Sequence, residues 1–339
     1  MTEYFLSFDN FDKFVEKLLL DGSRLIAPVE SFGQAHLEEI DFTKISGIKL
    51  SGFRTVEPFK SYFFKLIEQV SQDPQGQKLI IMGARGCDVE AVEILDKVFG
   101  EGEFEDPFYL ANRANVLIIS ADCSDCGLTC FCLTVKGQPY PNKLFDINFS
   151  LIDNGYVVEV GSEKGQKLIT GNKSLLTDVS QAQAQAKASN RSRVNKLLTE
   201  VNKEFQSKLD LAETHKRNLE NKAWKSLTKD CVECSACNFA CPTCSCFLLV
   251  DQESSRFKVW DGCLKAGYTR VAGGANDRGQ LYQRLQNRYH CKFDYSYDRL
   301  GRYTCVGCGR CIDGCAGKID MRKIFVELEK QVPLTAKLA

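Results

Sequence analysis

Two runs of four cysteines have a spacing suited to holding metal. The first run is followed by a proline and consists of Cys231, Cys234, Cys237 and Cys241. The second repeats the pattern C-x2-C-x2-C-x3-C, with Ala316 in place of the proline, and consists of Cys305, Cys308, Cys311 and Cys315. Cysteines two residues apart in a tight loop can point into one small cavity, and soft thiolates suit iron–sulfur chemistry better than hard cations. The two runs therefore predict two [4Fe–4S] clusters.

The fourth cysteine of each run is expected to belong to the other cluster, as in two-cluster ferredoxins with this spacing. We therefore assign cluster 1 to set 1, which is Cys231, Cys234, Cys237 and Cys315. Cluster 2 is assigned to set 2, which is Cys305, Cys308, Cys311 and Cys241. Structural zinc is the alternative, but zinc sites usually combine two separated C-x2-C pairs with four ligands in total. The crossing predicts that the two runs lie together in the fold.

Five further cysteines follow two predicted strands. Residues 78–83 and 115–120 are short apolar runs typical of buried strands, and residues 88–99 between them have amphipathic helical spacing. This βαβ pattern brings the ends of parallel strands to one sheet edge, where ligands bind in open α/β sheets. The cysteines that follow the two strands are Cys87, Cys123, Cys126, Cys130 and Cys132. They can hold a third metal centre with one thiol to spare, and the alternatives are ordinary buried thiols or a redox-active thiol.

The remaining patterns divide the chain into four predicted parts. Residues 1–165 are predicted to form an α/β domain, and residues 166–228 a helical connector. Within the connector, residues 181–188 alternate Gln with Ala, which we assign to a helix because both are good helix formers. Residues 229–328 are predicted to form a mainly α-helical, ferredoxin-like domain that holds the two clusters. Residues 329–339 are predicted to be a loose tail.

Composition argues against several classes of function. The 339 residues contain 44 Lys and Arg and 44 Asp and Glu, so a zero formal charge offers no electrostatic footprint for nucleic acid. No apolar run is long enough for a membrane span, and the first residues lack a secretory signal pattern. We expect a cytoplasmic protein whose 17 cysteines bind metal rather than form disulfides. The chain has no glycine motif for a nucleotide, so we expect no flavin site in it.

Short segments along the chain match, in order, those of one known family. They are residues 27–29, 58–60, 63–64, 85–88, 106–109, 129–132, 241–246, 260–263, 271–274 and 305–320. On these segments the chain resembles the iron–sulfur beta subunits of sulfhydrogenases and the related iron–sulfur subunits of anaerobic sulfite reductases. It departs from the family at Gly86, where proline is usual, and at Ala316. The resemblance favours a third cluster held by set 3, which is Cys87, Cys123, Cys130 and Cys132, with Cys126 as the alternate ligand.

The resemblance implies an electron-transfer subunit of a cytoplasmic oxidoreductase complex. Electrons would pass between a flavin-containing, ferredoxin-reductase-like subunit that oxidises NAD(P)H and a hydrogenase, sulfite reductase or heterodisulfide reductase module. FAD is then expected on the partner. The alternatives are a self-sufficient iron–sulfur reductase that acts on a small substrate or disulfide at the N-terminal cysteines, and a zinc-bound binding module. The sequence fixes no role for Cys244, Cys246, Cys263 and Cys291: packing near a cluster is favoured, and Cys244 and Cys246 could instead act as alternative ligands.

Overall fold

The computed structural model describes residues 2–101 and 103–331. Its strands are β1 (Glu3–Ser7), β2 (Arg24–Ser31), β3 (Gln34–Ile40), β4 (Ile67–Gln69), β5 (Leu79–Ala84), β6 (Val116–Ala121), β7 (Ile147–Ile152), β8 (Gly155–Val160), β9 (Thr177–Asp178), β10 (Phe247–Gln252) and β11 (Ser255–Trp260). Its helices are α1 (Phe8–Leu20), α2 (Gly86–Gly100), α3 (Pro107–Ala114), α4 (Glu163–Gly171), α5 (Gln181–Val201), α6 (Leu211–Arg217), α7 (Ala223–Leu227), α8 (Ala236–Phe239), α9 (Leu281–His290), α10 (Ser296–Leu300), α11 (Arg310–Asp313) and α12 (Met321–Glu329). Most of the predicted tail, residues 332–339, lies outside the described residues.

An eight-stranded mixed sheet organises the N-terminal half. Its strand order is β3-β2-β5-β6-β7-β8-β1-β9. The pairs β2–β5, β5–β6 and β6–β7 are parallel, whereas the outer pairs are antiparallel. The α/β prediction is therefore confirmed, and so is the βαβ unit, because α2 and α3 connect β5 to its parallel neighbour β6. The strand β9 extends this sheet beyond residue 165, and the predicted domain limits stay a prediction.

The sheet has an apolar core on each face. On one face, α1 buries Phe14 and Leu18 against strand residues such as Met82. On the other face, α2 buries Val92 and Leu95 in a second cluster. The strand β5 contributes to both clusters and is buried along its whole length, as expected for a strand covered on both faces. Because helices pack on both faces of the sheet, the C-terminal ends of β5 and β6 are held in place.

The alternating Gln and Ala residues lie in a helix, as predicted. The helix α5 begins with a capping box formed by Ser180 and Gln183. Only two of its residues are fully buried, but Arg191 donates to Asp122 at 2.7 Å and to Glu159 at 2.5 Å. This buried ion-pair group ties the helix to the sheet directly before the loop that begins at Cys123.

The C-terminal part combines short helices with a hairpin. The helices α6 to α12 surround a core that includes Trp224 and Phe293. The strands β10 and β11 form an antiparallel hairpin that also pairs with β4, and we did not predict it. The same core contains Phe131 and Val135 from the loop after β6, so the cysteine segments of both halves pack together. Within the described ranges, no helix is both long and apolar enough to cross a bilayer.

Candidate metal centres

The four cysteines of set 1 line a single cavity. Three come from the loop before α8 and the start of that helix, and Cys315 comes from the loop after α11. Burial raises the pKa of Cys237 to about 12. The amide of Ile319 donates to Cys315 Sγ at 3.3 Å, an arrangement that stabilises a thiolate ligand. The structure thus brings Cys315 to the first three cysteines of the other run, as the predicted exchange requires.

The four cysteines of set 2 also lie together. Burial raises the pKa of Cys305, and the neighbouring charges of the other three members, Cys311, Cys241 and Cys308, raise it further. Thr243 joins the two runs, because its Oγ1 lies 3.3 Å from Cys241 Sγ and donates to the carbonyl of Thr304 at 2.6 Å. Cys241, the last cysteine of the first run, therefore lies with the second run.

The cysteines that follow β5 and β6 line one cavity, together with Cys308 of set 2. Burial raises the pKa of Cys132, and so do the charges of its neighbours Cys123 and Cys130. Burial raises the pKa of Cys126, and Cys130 is the one cysteine whose charge raises it further. Cys126 therefore lies at the margin of the group. The structure therefore brings together all five thiols predicted at this sheet edge. Which four of them bind a cluster stays a prediction.

Two glycines allow sets 2 and 3 to approach each other. Gly307 has φ +63°, and a Cβ there would lie 2.5 Å from Cys132 Cα. Gly309 has φ +75°, and a Cβ there would lie 2.4 Å from the carbonyl oxygen of Thr129. Any other residue would add a clash to an unfavourable backbone conformation at both positions. The second cysteine run is thus packed directly against the loop that carries set 3.

The chemistry of the three groups fits anionic clusters. Buried thiols with raised pKa values stay protonated unless a metal binds them as thiolates, which couples metal binding to proton release. Buried cations lie beside them: Arg54 Nε donates to the Cys308 carbonyl at 2.6 Å, and Arg288 donates to the Cys237 carbonyl at 3.0 Å. Burial alone would lower the pKa of Arg288, but the surrounding cysteines, led by Cys237 and Cys311, raise it. These cations would offset the negative charge that a cysteine-ligated cluster carries.

We expect Arg288→Gln to lower the reduction potential of a neighbouring cluster by roughly 60 mV, a tenfold change in a one-electron equilibrium. The reason is that a buried positive charge stabilises the more negative reduced cluster. Anaerobic redox titration followed by electron paramagnetic resonance measures the shift. The control is Arg299→Gln, because Arg299 is exposed on α10. An unchanged potential in an Arg288→Gln protein of normal iron content would contradict this role.

Two histidines come together although the sequence separates them widely. The rings of His215 and His290 lie 4.3 Å apart, and His290 Nδ1 is 3.0 Å from Asp294 Oδ2. Burial lowers the pKa of His215 to about 4, so this ring is neutral at pH 7. Lys216 already pairs with the carboxylate of Asp294 at 3.3 Å. The spacing of these residues contains no signal for the group.

The cysteine spacing also does not predict the buried basic side chains that hold the cysteine-bearing loops in place. Arg85 is buried and donates to the carbonyl of Asp122 at 2.6 Å, which connects the loops after β5 and β6. Lys60 is buried and donates to the carbonyl of Cys244 at 2.9 Å. The only indication in the sequence is that Lys60 and Arg85 fall within segments that carry the family resemblance.

Comparisons with known proteins agree with this geometry. Residues 230–319 match the family model described as a 4Fe-4S dicluster domain. The chain is also 30% identical over 344 residues to sulfhydrogenase 2 subunit beta of Pyrococcus furiosus, and the match covers 97% of each chain. This match spans the α/β half as well as both cysteine runs. The chain therefore belongs to the family of sulfhydrogenase beta subunits and carries a 4Fe-4S dicluster domain.

Proposed function

We propose that this chain carries electrons between two other subunits through clusters held by sets 1, 2 and 3. The contact between neighbouring sets supports the proposal most strongly. Cys311 of set 2 also lines the set 1 cavity, and Cys308 of set 2 also lines the set 3 cavity. Clusters bound at these positions would be immediate neighbours, so electrons could pass between them without a diffusible carrier.

The family supports a role within a complex. The Pyrococcus furiosus relative is named as a subunit of a sulfhydrogenase. We infer that this chain likewise works with partner subunits: a flavin subunit that carries FAD and oxidises NAD(P)H, and a catalytic oxidoreductase subunit. The absence of a nucleotide-binding glycine motif from the sequence supports placing the flavin on a partner. The cytoplasmic location stays a prediction from the cysteine content.

Reduction of the isolated chain tests the relay. We expect dithionite to bleach the visible iron–sulfur absorption of the anaerobically purified chain completely, and NAD(P)H alone to leave it unchanged. Addition of the flavin subunit should then allow NAD(P)H to bleach it, because hydride oxidation needs a flavin that passes on single electrons.

Two results would contradict the relay. Bleaching by NAD(P)H without the flavin subunit would place a nucleotide site in this chain. Steady turnover of a small disulfide by the chain and dithionite would instead favour the self-sufficient reductase, with the N-terminal cysteines as its reaction centre. A Cys130→Ser variant then serves as the control, since that activity should disappear with set 3.

A further inference from the structure

Two of the four cysteines without a role contact one buried amide. Asn238 is 1% exposed, and its Nδ2 donates to Cys263 Sγ at 3.5 Å and to Cys244 Sγ at 3.8 Å. The residue before Cys263 is Gly262, where a Cβ would lie 3.1 Å from Asn238 Cγ. This close approach allows the loop after β11 to bring Cys263 to the amide.

Cys246 and Cys291 complete the group. Burial raises the pKa of Cys246 and of Cys263, and the charge of Cys291 raises both further. Hydrogen bonds hold Cys246 and Cys291 beside the other two: the Asp261 amide, two residues before Cys263, donates to the Cys246 carbonyl at 3.1 Å. Thr304 Oγ1 donates to the Cys291 carbonyl at 3.2 Å, and the Thr304 carbonyl accepts from Thr243, the neighbour of Cys244. We call Cys244, Cys246, Cys263 and Cys291 set 4.

Three separate segments supply these thiols. Two members follow the first cysteine run, the third follows β11, and Cys291 begins a π-helical turn over Cys291–Tyr295 that continues α9. Single π turns within helices are rare and are frequent at functional sites. The convergence of four cysteines from three segments is therefore a product of the fold, and the spacing in the sequence does not show it.

The buried positive charges beside set 4 require a nearby anion. Lys60 and Lys292 are buried, and neither takes part in a salt bridge among the described residues. Lys60 Nζ donates to the carbonyl of Cys244, and Lys292 Nζ donates to Thr243 Oγ1 at 2.7 Å. A buried cation is costly unless an opposite charge accompanies it. Four thiolates with iron and sulfide would supply that charge beside both lysines.

The spacing of the sulfurs argues against a single zinc ion. A tetrahedral zinc ion with Zn–S bonds of about 2.3 Å needs its sulfurs about 3.8 Å apart. No three cysteine sulfurs lie within 4.8 Å of one another among the residues that the structure describes. A cubane holds its four thiolates at separate corners and therefore spaces them more widely.

We propose that set 4 binds a further [4Fe–4S] cluster. The amide of Cys244 donates to the carbonyl of Cys241 of set 2 at 3.4 Å, so the proposed cluster would adjoin cluster 2. Cys291 is exposed, which places this cluster next to the surface. Cluster 2 would then adjoin three clusters rather than two, and set 4 would add a separate route by which one electron at a time enters or leaves. That route rests on the proposed function, whereas the existence of the site does not.

Iron counting tests the site. The anaerobically purified chain should contain about 16 irons and 16 sulfides, and the double variant Cys246→Ser with Cys263→Ser about 12 of each. The matched control is Ser245→Ala, which lies between two members of set 4 and should retain all the iron. Circular dichroism confirms that each variant is folded.

Several results would overturn the site. They are about 12 irons in the wild-type chain, an unchanged iron content in a folded double variant, or one zinc ion that the double variant loses. If the double variant does not fold, the iron content of the wild-type chain alone tests the site. A chain with about 16 irons that carries no electrons from the flavin subunit would reject the proposed function and leave the site intact.

Discussion

A chain with both Cys130 and Cys132 changed to Ser should bind about four fewer irons than the wild-type chain. Both thiols line the cavity after β5 and β6, and both are buried. Serine oxygen is a harder ligand than thiolate sulfur, so two such changes in one four-ligand site should abolish the cluster there. Anaerobic iron and sulfide analysis measures the loss, and electron paramagnetic resonance should show that the signals of the remaining clusters persist.

The fifth thiol of this cavity provides a matched comparison. Cys126→Ser should retain all the iron, because Cys126 lies at the margin of the five thiols. Cys130 is the one cysteine whose charge raises the pKa of Cys126. Loss of about four irons from Cys126→Ser, or full iron content in the double variant, would show that set 3 is assigned incorrectly.

Arg310→Met should lower the free energy of unfolding by about 3–5 kcal/mol, because it leaves a buried carboxylate without its cation. The side chains of Arg310 and Asp88 are 1% and 2% exposed, and Arg310 Nη1 lies 2.9 Å from Asp88 Oδ1. Arg310 Nε also donates to the carbonyl of Thr55 at 2.9 Å. The pair joins α11 of the second cysteine run to the start of α2, so its loss should loosen the contact between sets 2 and 3. Anaerobic urea unfolding measures the change.

Two comparisons make this prediction specific. Arg299→Met removes an exposed arginine from α10 and should change the stability by no more than about 0.5 kcal/mol. Combining Arg310→Met with Asp88→Asn should cost less than the sum of the two single changes, because the second change removes a charge that is already unpaired. Strict additivity, or equal effects of Arg310→Met and Arg299→Met, would show that the pair contributes little.

Local patterns predicted much of the fold. The apolar runs of β5 and β6 and the amphipathic spacing of α2 predicted the βαβ unit, since each pattern lies within one element. Gln and Ala alternate at the start of α5 with a period of two, which is typical of a strand. A helix was nevertheless the correct prediction, because both are good helix formers and Ala offers a strand little packing surface. The hairpin β10–β11 was missed. The residues of β10 are mostly exposed, and the pairing of β11 with β4 depends on a segment far away in the chain.

The sequence by itself determined where iron–sulfur chemistry occurs in this protein. The two C-x2-C-x2-C-x3-C runs do so because each places three ligands of its cluster within one short loop, and spacing alone sets that geometry. The tertiary structure alone decided which buried cations accompany the thiols and that Cys244 and Cys263 meet at Asn238. These contacts join residues such as Lys60 and Cys244, which lie far apart in the chain. No periodicity records such a pairing, because it arises only when separate elements pack against each other.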